Sequence, residues 1–307
     1  FETIFYYLHK NYSISSHPEI TLEANPDDLT PDYIAMLRTL PFNRLSMGIQ
    51  TFNESILKVL QRRHTARQAI EAFQNCRAAG FQNISIDLMY GLPGETLSTW
   101  QQDLDQALLL HPEHLSAYHL IYEEDTVLWK LREQHKVEEA DEDLSVSLFS
   151  TLIDRLTSEG YDHYEISNFS LPGLYSRHNS SYWTEKKYLG CGPSAHSYNG
   201  VSRQWNVASL DTYIKGISAG TPVFEIEELD LYTRYNDFVI TRIRTEWGMP
   251  LSKLRDEFGE KLYDYCLRMA APHLKQGTLE LVNDILKLTR KGIFISDGIM
   301  SDMLWTD

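Results

Sequence analysis

The sequence predicts an α/β fold in which parallel strands alternate with helices, followed by a smaller C-terminal α+β domain. Short apolar runs, such as residues 84–90, stop at Gly, Pro or Asn and are followed by amphipathic segments, such as residues 97–110. This alternation is typical of a parallel sheet with crossover helices. From residue 230 onward the pattern changes to helical segments followed by two short strands, which indicates a separate domain.

Composition narrows the class of protein before any motif is considered. A chain of 307 residues, 42% of them hydrophobic and 23% charged, is long enough for one large and one small domain and is typical of a globular protein. No apolar run approaches the length of a membrane span. The net charge of -15 argues against nucleic-acid binding, because phosphate contacts need a basic face.

The cysteines indicate the redox setting. Cys76, Cys191 and Cys266 are odd in number and far apart, so we expect no disulfide framework and a reducing, cytoplasmic setting. The chain has no C-x-x-C pair and no close His/Cys cluster. We therefore predict no metal site formed by this chain.

The chain begins directly in a helical pattern. Phe1, Ile4, Phe5 and Leu8 fall at positions i, i+3, i+4 and i+7. Neither a Met nor a capping residue precedes them. We expect the sequence to be a fragment whose natural start lies upstream.

The strands and helices of the first domain follow from hydrophobic patterning and from capping residues. Thr30, Asn53 and Thr65 each precede a helical pattern, as N-cap residues do. The predicted strands are residues 19–25, 44–50, 84–90, 114–122 and 161–169, the fourth of them apolar on both faces. The predicted helices are residues 31–40, 54–60, 66–79, 97–110 and 141–159.

Polar side chains recur at the carboxyl ends of the predicted strands. Glu23, Gln50 and Asp87 occupy equivalent positions on three strands, and in a (β/α) barrel such positions line one shared mouth. Asp87 lies within an apolar run, where a charge is costly unless it is paired or bound. A structural aspartate that caps a neighbouring loop is the alternative for Asp87 alone. Three polar residues at equivalent positions favour a ligand site.

Residues 171–206 lack periodicity and are dense in Gly, His, Tyr and Ser. A long irregular segment within a compact domain is usually functional or disordered. Aromatic residues argue against disorder here; they include Tyr175, Tyr182, Trp183 and Tyr188. His178 and His196 are each a candidate ligand for a metal or for heme iron, while a hydrogen-bonded structural role is the alternative for either one.

The C-terminal part begins after a predicted linker, residues 201–229, that contains one short helix at 211–219. The predicted elements that follow are helices at 231–244, 251–258 and 261–274, strands at 278–282 and 285–289, and a final helix beyond residue 292. Three helices followed by a hairpin are similar to a winged helix. Because Lys253 and Arg255 lie among acidic residues and form no basic recognition face, we interpret this unit as a packing or substrate-covering domain.

Several motifs identify a family. The segments SMGIQTF at 46–52, RRHT at 62–65 and IDLMYGLPGET at 86–96 resemble the radical S-adenosylmethionine (SAM) proteins related to oxygen-independent coproporphyrinogen III oxidase. The segments YEISNF at 164–169 and RHNSSYW at 177–183 resemble the heme-chaperone branch of that family. The resemblance covers essentially the whole chain.

The resemblance implies a partial (β/α)6 radical SAM barrel with a following heme-motif segment over residues 1–200, and a winged-helix-like C-terminal domain of the oxidase type over residues 230–307. It also implies a [4Fe-4S] cluster held by three cysteines after the first barrel strand, and a Gly-rich loop after the second. Neither motif is in this sequence. We expect the four strands preceding residue 123 to be the third to sixth barrel strands and the cluster ligands to lie upstream of Phe1.

The resemblance also implies roles for particular residues in SAM binding. The implied SAM contacts are Glu23, Gln50, Arg62 and Asp87. These side chains suit that role, because carboxylates accept hydrogen bonds from ribose hydroxyls or an amino group, Arg62 can pair with a carboxylate, and Gln50 offers a donor and an acceptor. Taken alone, Arg62 would be interpreted as a solvated arginine at a helix end.

A second set of residues is implied to bind heme. It comprises His178, Asn179, Tyr182 and Trp183. An imidazole can ligate heme iron, and neighbouring aromatic rings can pack on a porphyrin. Many relatives have a Cys before the Arg-His-Asn, where this chain has Ser176; His178 is therefore the first candidate ligand, and Cys191 is a weaker thiolate candidate.

Three functions follow from these observations as hypotheses. The first is a heme chaperone that binds heme and transfers it to acceptor proteins on a SAM-binding scaffold. The second is an oxygen-independent coproporphyrinogen III oxidase, which would decarboxylate propionate side chains. The third is a scaffold that binds neither ligand. We also expect an exposed strand edge that favours dimer formation, and we allow for transient membrane contact during heme delivery.

Overall fold

The computed structural model describes residues 1–306, and the chain divides into two compact units, with unit 1 spanning Phe1–Ser176 and unit 2 beginning at Arg177. The predicted boundaries at residues 200 and 229 therefore differ from the observed division. Among residues 1–306, no helix is both long and apolar enough to cross a membrane.

Unit 1 is an α/β unit. Its helices are α1 Glu2–Asn11, α2 Pro31–Leu37, α3 Glu54–Val59, α4 Ala66–Ala78, α5 Leu97–Leu110, α6 Val127–Glu133 and α7 Glu142–Ser158, with a 3-10 turn at Pro26–Asp28. Its strands are β1 Thr21–Ala24, β2 Arg44–Gln50, β3 Ile84–Tyr90, β4 His114–His119, β5 Asp162–Glu165 and β6 Asn168–Ser170. The predicted caps are confirmed, since the side chains of Thr30, Asn53 and Thr65 accept backbone N–H groups of the helices that they precede.

The six strands form one mixed sheet in the order β1-β2-β3-β4-β6-β5. The first four are parallel, whereas β6 is antiparallel to both β4 and β5. The predicted single strand at 161–169 was therefore wrong. Glu165 accepts hydrogen bonds from the backbone N–H of Ser167 and from the side chain of Asn168, and these bonds close a turn that folds the segment into a hairpin.

The two faces of this sheet differ in character. One face buries apolar side chains, including Leu45, Met47 and Ile86, together with Trp100 of α5 and Phe73 of α4. The prediction that residues 114–122 are apolar on both faces was wrong. Successive strand residues alternate between the faces, so Leu115 and Ala117 share the apolar side while His114, Ser116 and Tyr118 share the other.

Unit 2 is an α+β unit. Its helices are α8 Arg177–Trp183, α9 Leu210–Ser218, α10 Leu231–Ile243, α11 Leu251–Gln276, α12 Arg290–Ile293 and α13 Ser296–Met303. Its strands are β7 His196–Tyr198, β8 Ser202–Asn206, β9 Phe224–Glu228, β10 Met249–Pro250, β11 Leu279–Val282 and β12 Ile285–Leu288. They form two antiparallel sheets, ordered β7-β8-β9 and β10-β12-β11.

Several C-terminal predictions are confirmed. α11 is interrupted at Gly259, whose φ is 79°, so it consists of two helical segments as predicted. The hairpin between β11 and β12 turns at Asn283 and Asp284, whose φ values of 50° and 70° suit a tight two-residue turn.

The predicted linker at 201–229 was wrong, because β8 and β9 pair at all five of their positions. Phe224 and Ile226 alternate with glutamates there, which is a strand pattern.

Candidate functional site

One face of the unit 1 sheet carries polar side chains, and we call it the polar face. Glu23 of β1 lies opposite Ser46 of β2, and Asp87 of β3 lies opposite Ser116 of β4. Ser46 donates a hydrogen bond to Asp87 over 3.2 Å, and Ser116 donates to Asn168 over 2.7 Å. These two hydrogen-bonded pairs lie side by side and form a polar network across four adjacent strands, β2, β3, β4 and β6.

Asp87 lies at the centre of this network. Burial raises the pKa of Asp87 to about 6, and the neighbouring carboxylate of Glu23 adds to the shift. The hydroxyl groups of Ser46 and Ser116 act in the opposite direction because they favour the charged form. A carboxylate with a raised pKa, beside a second carboxylate, is typical of a position that receives a cationic or hydrogen-bond-donating ligand.

A second cluster surrounds Gly48 on the same side of the sheet. A Cβ at position 48 would lie 3.0 Å from Nε2 of Gln50, 3.5 Å from the Arg62 guanidinium and 3.8 Å from Oδ1 of Asn25. Arg62 donates to Asn25 over 2.7 Å and to the Gly48 carbonyl over 2.8 Å. These contacts hold the guanidinium against the end of β2. Gly48 lies opposite Asp87 in the register, so this cluster adjoins the carboxylates.

The backbone at the end of β2 is unusual. Gln50 has a φ of 72°, and the β2–β3 register shifts between Gly48 and Gln50. A non-glycine residue in this region costs free energy and is often found where a side chain is aimed at a ligand. The irregularity keeps the Gln50 amide beside Gly48, on the polar face, while Gln50 itself pairs with Leu88 in the shifted register.

The structure therefore brings all four predicted SAM-site residues, Glu23, Gln50, Arg62 and Asp87, to one region of unit 1. The prediction missed Asn25, Ser46 and Ser116, which position these side chains. Ser46 and Ser116 could have been found from the two-residue period of their strands. Asn25 could not, because it contacts Arg62 across 37 positions of sequence.

A buried glutamate shapes the loop after β3. Glu95 is 5% exposed and accepts hydrogen bonds from the backbone N–H groups of Gly91, over 2.6 Å, and Leu92, over 3.2 Å. Burial raises the pKa of Glu95 to about 7. Gly91 has a φ of 73°, and a Cβ there would lie 2.6 Å from the His119 ring. The Gly-Leu-Pro-Gly-Glu segment is thus a fixed turn, and Glu95 was not predicted to form it.

The polar face suits SAM better than the described residues suit an iron–sulfur cluster. Its carboxylates, amides and guanidinium offer acceptors and donors for an ammonium, a carboxylate and hydroxyl groups. No group of three His, Cys, Asp or Glu side chains within residues 1–306 is placed to hold a metal ion. Cys76 and Cys266 are buried, and burial raises the pKa of each thiol to about 11, which disfavours the thiolate form that binds iron.

Unit 2 contains a cavity of about 440 Å³ that we call the histidine cavity. Its lining residues are His178, Tyr182, Tyr188, Leu189, Gly190, Cys191, Ser194, Ala195 and His196. Two imidazoles, a thiol, two phenol rings and an aliphatic side chain thus face one space. Its size is within the range of small-molecule sites in proteins.

His178 and Tyr182 form one wall of this cavity from adjacent turns of α8. Nε2 of His178 is 3.0 Å from the Tyr182 hydroxyl, and the two rings meet edge to face at 5.1 Å. Tyr182 in turn contacts Tyr188 edge to face at 4.8 Å. Their positions i and i+4 place both side chains on the same side of the helix. The predicted ligand His178 is therefore exposed and lies beside aromatic rings.

The other predicted heme residues lie differently. Asn179 is half-buried. Trp183 lines a neighbouring cavity of about 340 Å³, with Tyr182 and Tyr188 common to both cavities. The Arg244 guanidinium lies 4.1 Å from the centre of the Trp183 ring, and the buried indole Nε1 of Trp183 has no hydrogen-bond partner among the described residues. The four-residue motif thus places His178 and Tyr182 together and Trp183 on the adjoining side.

The opposite wall of the histidine cavity is a tightly held loop. Tyr188 and Tyr198 exchange two backbone hydrogen bonds of 3.0 Å, and Ser197 accepts from the N–H of Gly190. A Cβ at Gly190 would lie 2.1 Å from the carbonyl oxygen of His196. Only glycine permits this approach of two backbone segments. Residues 188–198, predicted as irregular, are therefore a preorganised wall.

Ion pairs brace unit 2 beside the cavities. Burial by itself raises the pKa of Glu185, but hydrogen bonds from Lys253 and Arg242, each 2.8 Å long, hold its pKa below the usual value. These bonds tie the segment after α8 to α10 and α11, which anchors the helix that carries His178.

Comparison with known proteins shows which families the two parts of the chain match and which solved fold the chain resembles. Residues 1–107 match the Radical SAM superfamily, and residues 229–295 match the HemN C-terminal domain. The chain is similar in structure to the coproporphyrinogen III oxidase HemN of Escherichia coli, described as a radical SAM enzyme, with a TM-score of 0.82 over 98% of this chain and 73% of that one at 22% identity. The family match identifies a protein of the radical SAM class, and the structural similarity shows the same fold.

Sequence relatives identify the branch. The chain is 30% identical to the heme chaperone HemW of Bacillus subtilis over 93% of this chain and 76% of that protein. It is 32% identical to the heme chaperone HemW of Lactococcus lactis over 94% and 76%, and 31% identical to that of Mycobacterium tuberculosis over 96% and 74%. The chain belongs to the HemW family.

Proposed function

We propose that this protein is a heme chaperone that binds heme in the histidine cavity of unit 2 and transfers it to acceptor proteins. The observation that carries the proposal is that His178 and Tyr182, two residues of the predicted heme motif, line one cavity with further potential iron ligands. Its relatives are named heme chaperones, which supports the same function.

The chemistry of the cavity suits a porphyrin carrying iron. A neutral imidazole ligates heme iron through a ring nitrogen, and Tyr182, Tyr188 and Leu189 offer ring faces and aliphatic surface for the macrocycle. His178 and Tyr182 are exposed. A site that opens toward solvent allows the ligand to pass to another protein without unfolding of the unit.

We further propose that the polar face of unit 1 holds SAM, within a partial (β/α)6 barrel to which β1 to β4 contribute. Arg62 would bind the methionine carboxylate, Gln50 would donate to or accept from the same ligand, and Glu23 and Asp87 would accept from its hydroxyl or amino groups. In the radical SAM class, bound SAM supplies an adenosyl group for radical chemistry. A [4Fe-4S] cluster, with cysteine ligands outside this sequence, is the second cofactor that we propose for this scaffold.

The sheet of unit 1 has a free edge at which a partner chain could pair. β1 is an edge strand of the unit 1 sheet, which supports the proposal of a dimer. We propose that the C-terminal domain is a HemN-type, winged-helix-like unit with a packing role. We also propose that the protein contacts heme-acceptor proteins and makes transient contact with a membrane. Coproporphyrinogen III oxidation is the alternative reaction, and the structural similarity to HemN at 22% identity shows the fold alone.

The test is an absorbance titration of the 307-residue chain with ferric heme. The intact chain should give a saturable Soret shift, and His178→Ala should weaken binding at least about tenfold, which corresponds to about 1.4 kcal/mol. His9→Ala is the matched control, because His9 is also an exposed histidine on a helix but lies in α1 of unit 1. Equal heme affinity in His178→Ala and the intact chain would contradict the site.

A further inference from the structure

Histidines lie on two walls of the histidine cavity, His178 on α8 and His196 on β7. We propose that His196 is the second axial ligand of the heme iron, opposite His178. This inference rests on the proposed function and specifies how the iron is held. It assigns a role to a residue outside the heme motif.

The first observation is that both imidazoles face the same space. His178 lies on α8 and His196 lies on β7, and both line the cavity of about 440 Å³. The two side chains are exposed, so each can present a ring nitrogen to a ligand. They come from separate elements, as two ligands on opposite faces of a planar macrocycle must.

The second observation is that His196 is held in place by its surroundings. Its ring lies nearly parallel to the Trp205 ring, at a centroid separation of 6.0 Å and an interplanar angle of 28°. His196 is also paired with Trp205 in the β7–β8 register. The close approach of Gly190 to the His196 backbone fixes the strand from the other side. A ligand whose position is fixed before binding loses little freedom when it binds.

The third observation concerns the competing ligand. Cys191 also lines the cavity and is exposed. A thiol must lose its proton before it can bind iron, whereas a neutral imidazole binds directly at neutral pH. Cys191 lies between Gly190 and Gly192 in a loop, while His196 lies in a paired strand. The structure therefore favours the imidazole, and the thiolate becomes an outcome of the test.

Coordination by two histidines has a consequence that can be measured. Ferric heme with two imidazole ligands is six-coordinate and low-spin, whereas loss of one ligand leaves a five-coordinate or water-ligated high-spin iron. Removal of a ligand should change the spin state more than the amount of heme bound, since the macrocycle keeps its contacts with Tyr182 and Tyr188. A merely structural role for His196 would not give this pattern.

The experiment compares the full chain with His196→Ala, Cys191→Ser and His9→Ala, each loaded with ferric heme and examined by absorbance and electron paramagnetic resonance. The intact chain should be low-spin. His196→Ala should convert most of the bound heme to high-spin, weaken affinity roughly tenfold, and regain the low-spin spectrum when free imidazole is added. His9→Ala should match the intact chain in spectrum and affinity, and Cys191→Ser should keep the low-spin spectrum.

The possible results separate this inference from the proposed function. A low-spin spectrum in His196→Ala that equals that of the intact chain would overturn the role of His196, while loss of binding in His178→Ala would still support the heme site. Loss of a thiolate spectrum in Cys191→Ser would assign the second position to Cys191 instead. Absence of saturable heme binding to the intact chain would overturn both proposals.

Discussion

The polar face of unit 1 and the histidine cavity of unit 2 are built by opposite means. On the polar face, regular parallel strands place side chains by alternation, and hydrogen bonds link Ser46 to Asp87 and Ser116 to Asn168. Around the histidine cavity, a seven-residue helix and a glycine-bearing loop carry the functional groups. His178 and His196 are exposed there, whereas Asp87 is sufficiently buried for its pKa to rise to about 6.

The difference indicates how each region could bind its ligand. The polar face is partly desolvated before any ligand arrives, so a ligand that donates hydrogen bonds would relieve an existing electrostatic cost. The histidine cavity opens toward solvent, where His178 and His196 are exposed. A region of the first kind suits a cofactor that stays bound, and a region of the second kind suits a cargo that must leave.

The largest effect is expected from a change to the loop of the histidine cavity. In Gly190→Ala the new Cβ would overlap the carbonyl oxygen of His196, so the two backbone segments must separate. We expect a loss of about 1–3 kcal/mol in the free energy of unfolding, and heme affinity at least about tenfold weaker. Denaturant titration and heme titration measure the two effects.

Gly298→Ala is the matched control for this change. Gly298 also lies in unit 2, and nothing lies within 4 Å of the position that its Cβ would occupy. It lies within α13, where alanine is the better helix former. Stability and heme affinity should be equal to or greater than those of the intact chain. If Gly190→Ala behaved in the same way, the loop would not be the fixed wall described above.

A smaller effect of opposite sign is expected on the polar face. Asp87→Asn should stabilise the ligand-free protein by roughly 1–2 kcal/mol at pH 8, because the raised pKa of Asp87 shows that the buried carboxylate is destabilising. The folded state favours the protonated form, so the contribution of Asp87 to stability is greatest below about pH 4 and is lost as the pH rises to about 6. The gain from Asn should therefore shrink as the pH falls from 8 to 4.

Thermal unfolding at several pH values measures this difference, with Asp105→Asn as the control. Asp105 lies in the same unit but is exposed and pairs with Arg155 at the surface, so its replacement should change the free energy of unfolding by less than about 1 kcal/mol. Heme affinity should be unchanged in both variants. A destabilised Asp87→Asn protein at pH 8 would mean that the network needs the charge for folding, and the interpretation of Asp87 as a ligand position would lose its support.

The contrast also explains which features the sequence revealed. Strand alternation and helix caps are local, so β2, β3 and the Thr65 cap could be predicted from neighbouring residues. The predicted grouping of Glu23, Gln50 and Asp87 is found, but not at equivalent strand ends, because Asp87 is the fourth residue of the seven-residue β3 and Glu23 lies opposite Ser46. Their common side follows from strand alternation. Long-range contacts carry no local signal, which is why the Asn25–Arg62 hydrogen bond was missed.

The segment around the histidine cavity was harder to predict for a physical reason. Its elements are short, and β7 has only three residues. A segment of that length is too short to show the hydrophobic periodicity of a strand or a helix. The turn at Ser167, which splits the predicted strand at 161–169, depends on a side-chain acceptor, Glu165, and not on Gly or Pro. The Tyr188–Tyr198 pairing brings His178, Cys191 and His196 to one cavity. Residue types alone do not indicate this pairing.

The smallest effect is expected from the hydrogen bond between Tyr182 and His178 on one wall of the histidine cavity. Tyr182→Phe removes the hydroxyl that pairs with Nε2 of His178 over 3.0 Å. If that nitrogen binds iron, its hydrogen bond with the Tyr182 hydroxyl must first break. Breaking one hydrogen bond costs about 0.5–1.5 kcal/mol of binding free energy. Heme binding to Tyr182→Phe should therefore be a few-fold tighter than to the intact chain, as measured by titration, and Tyr188→Phe should show no gain. A few-fold weakening in Tyr182→Phe would instead mean that the hydroxyl itself contacts the heme and that His178 binds iron through its other nitrogen.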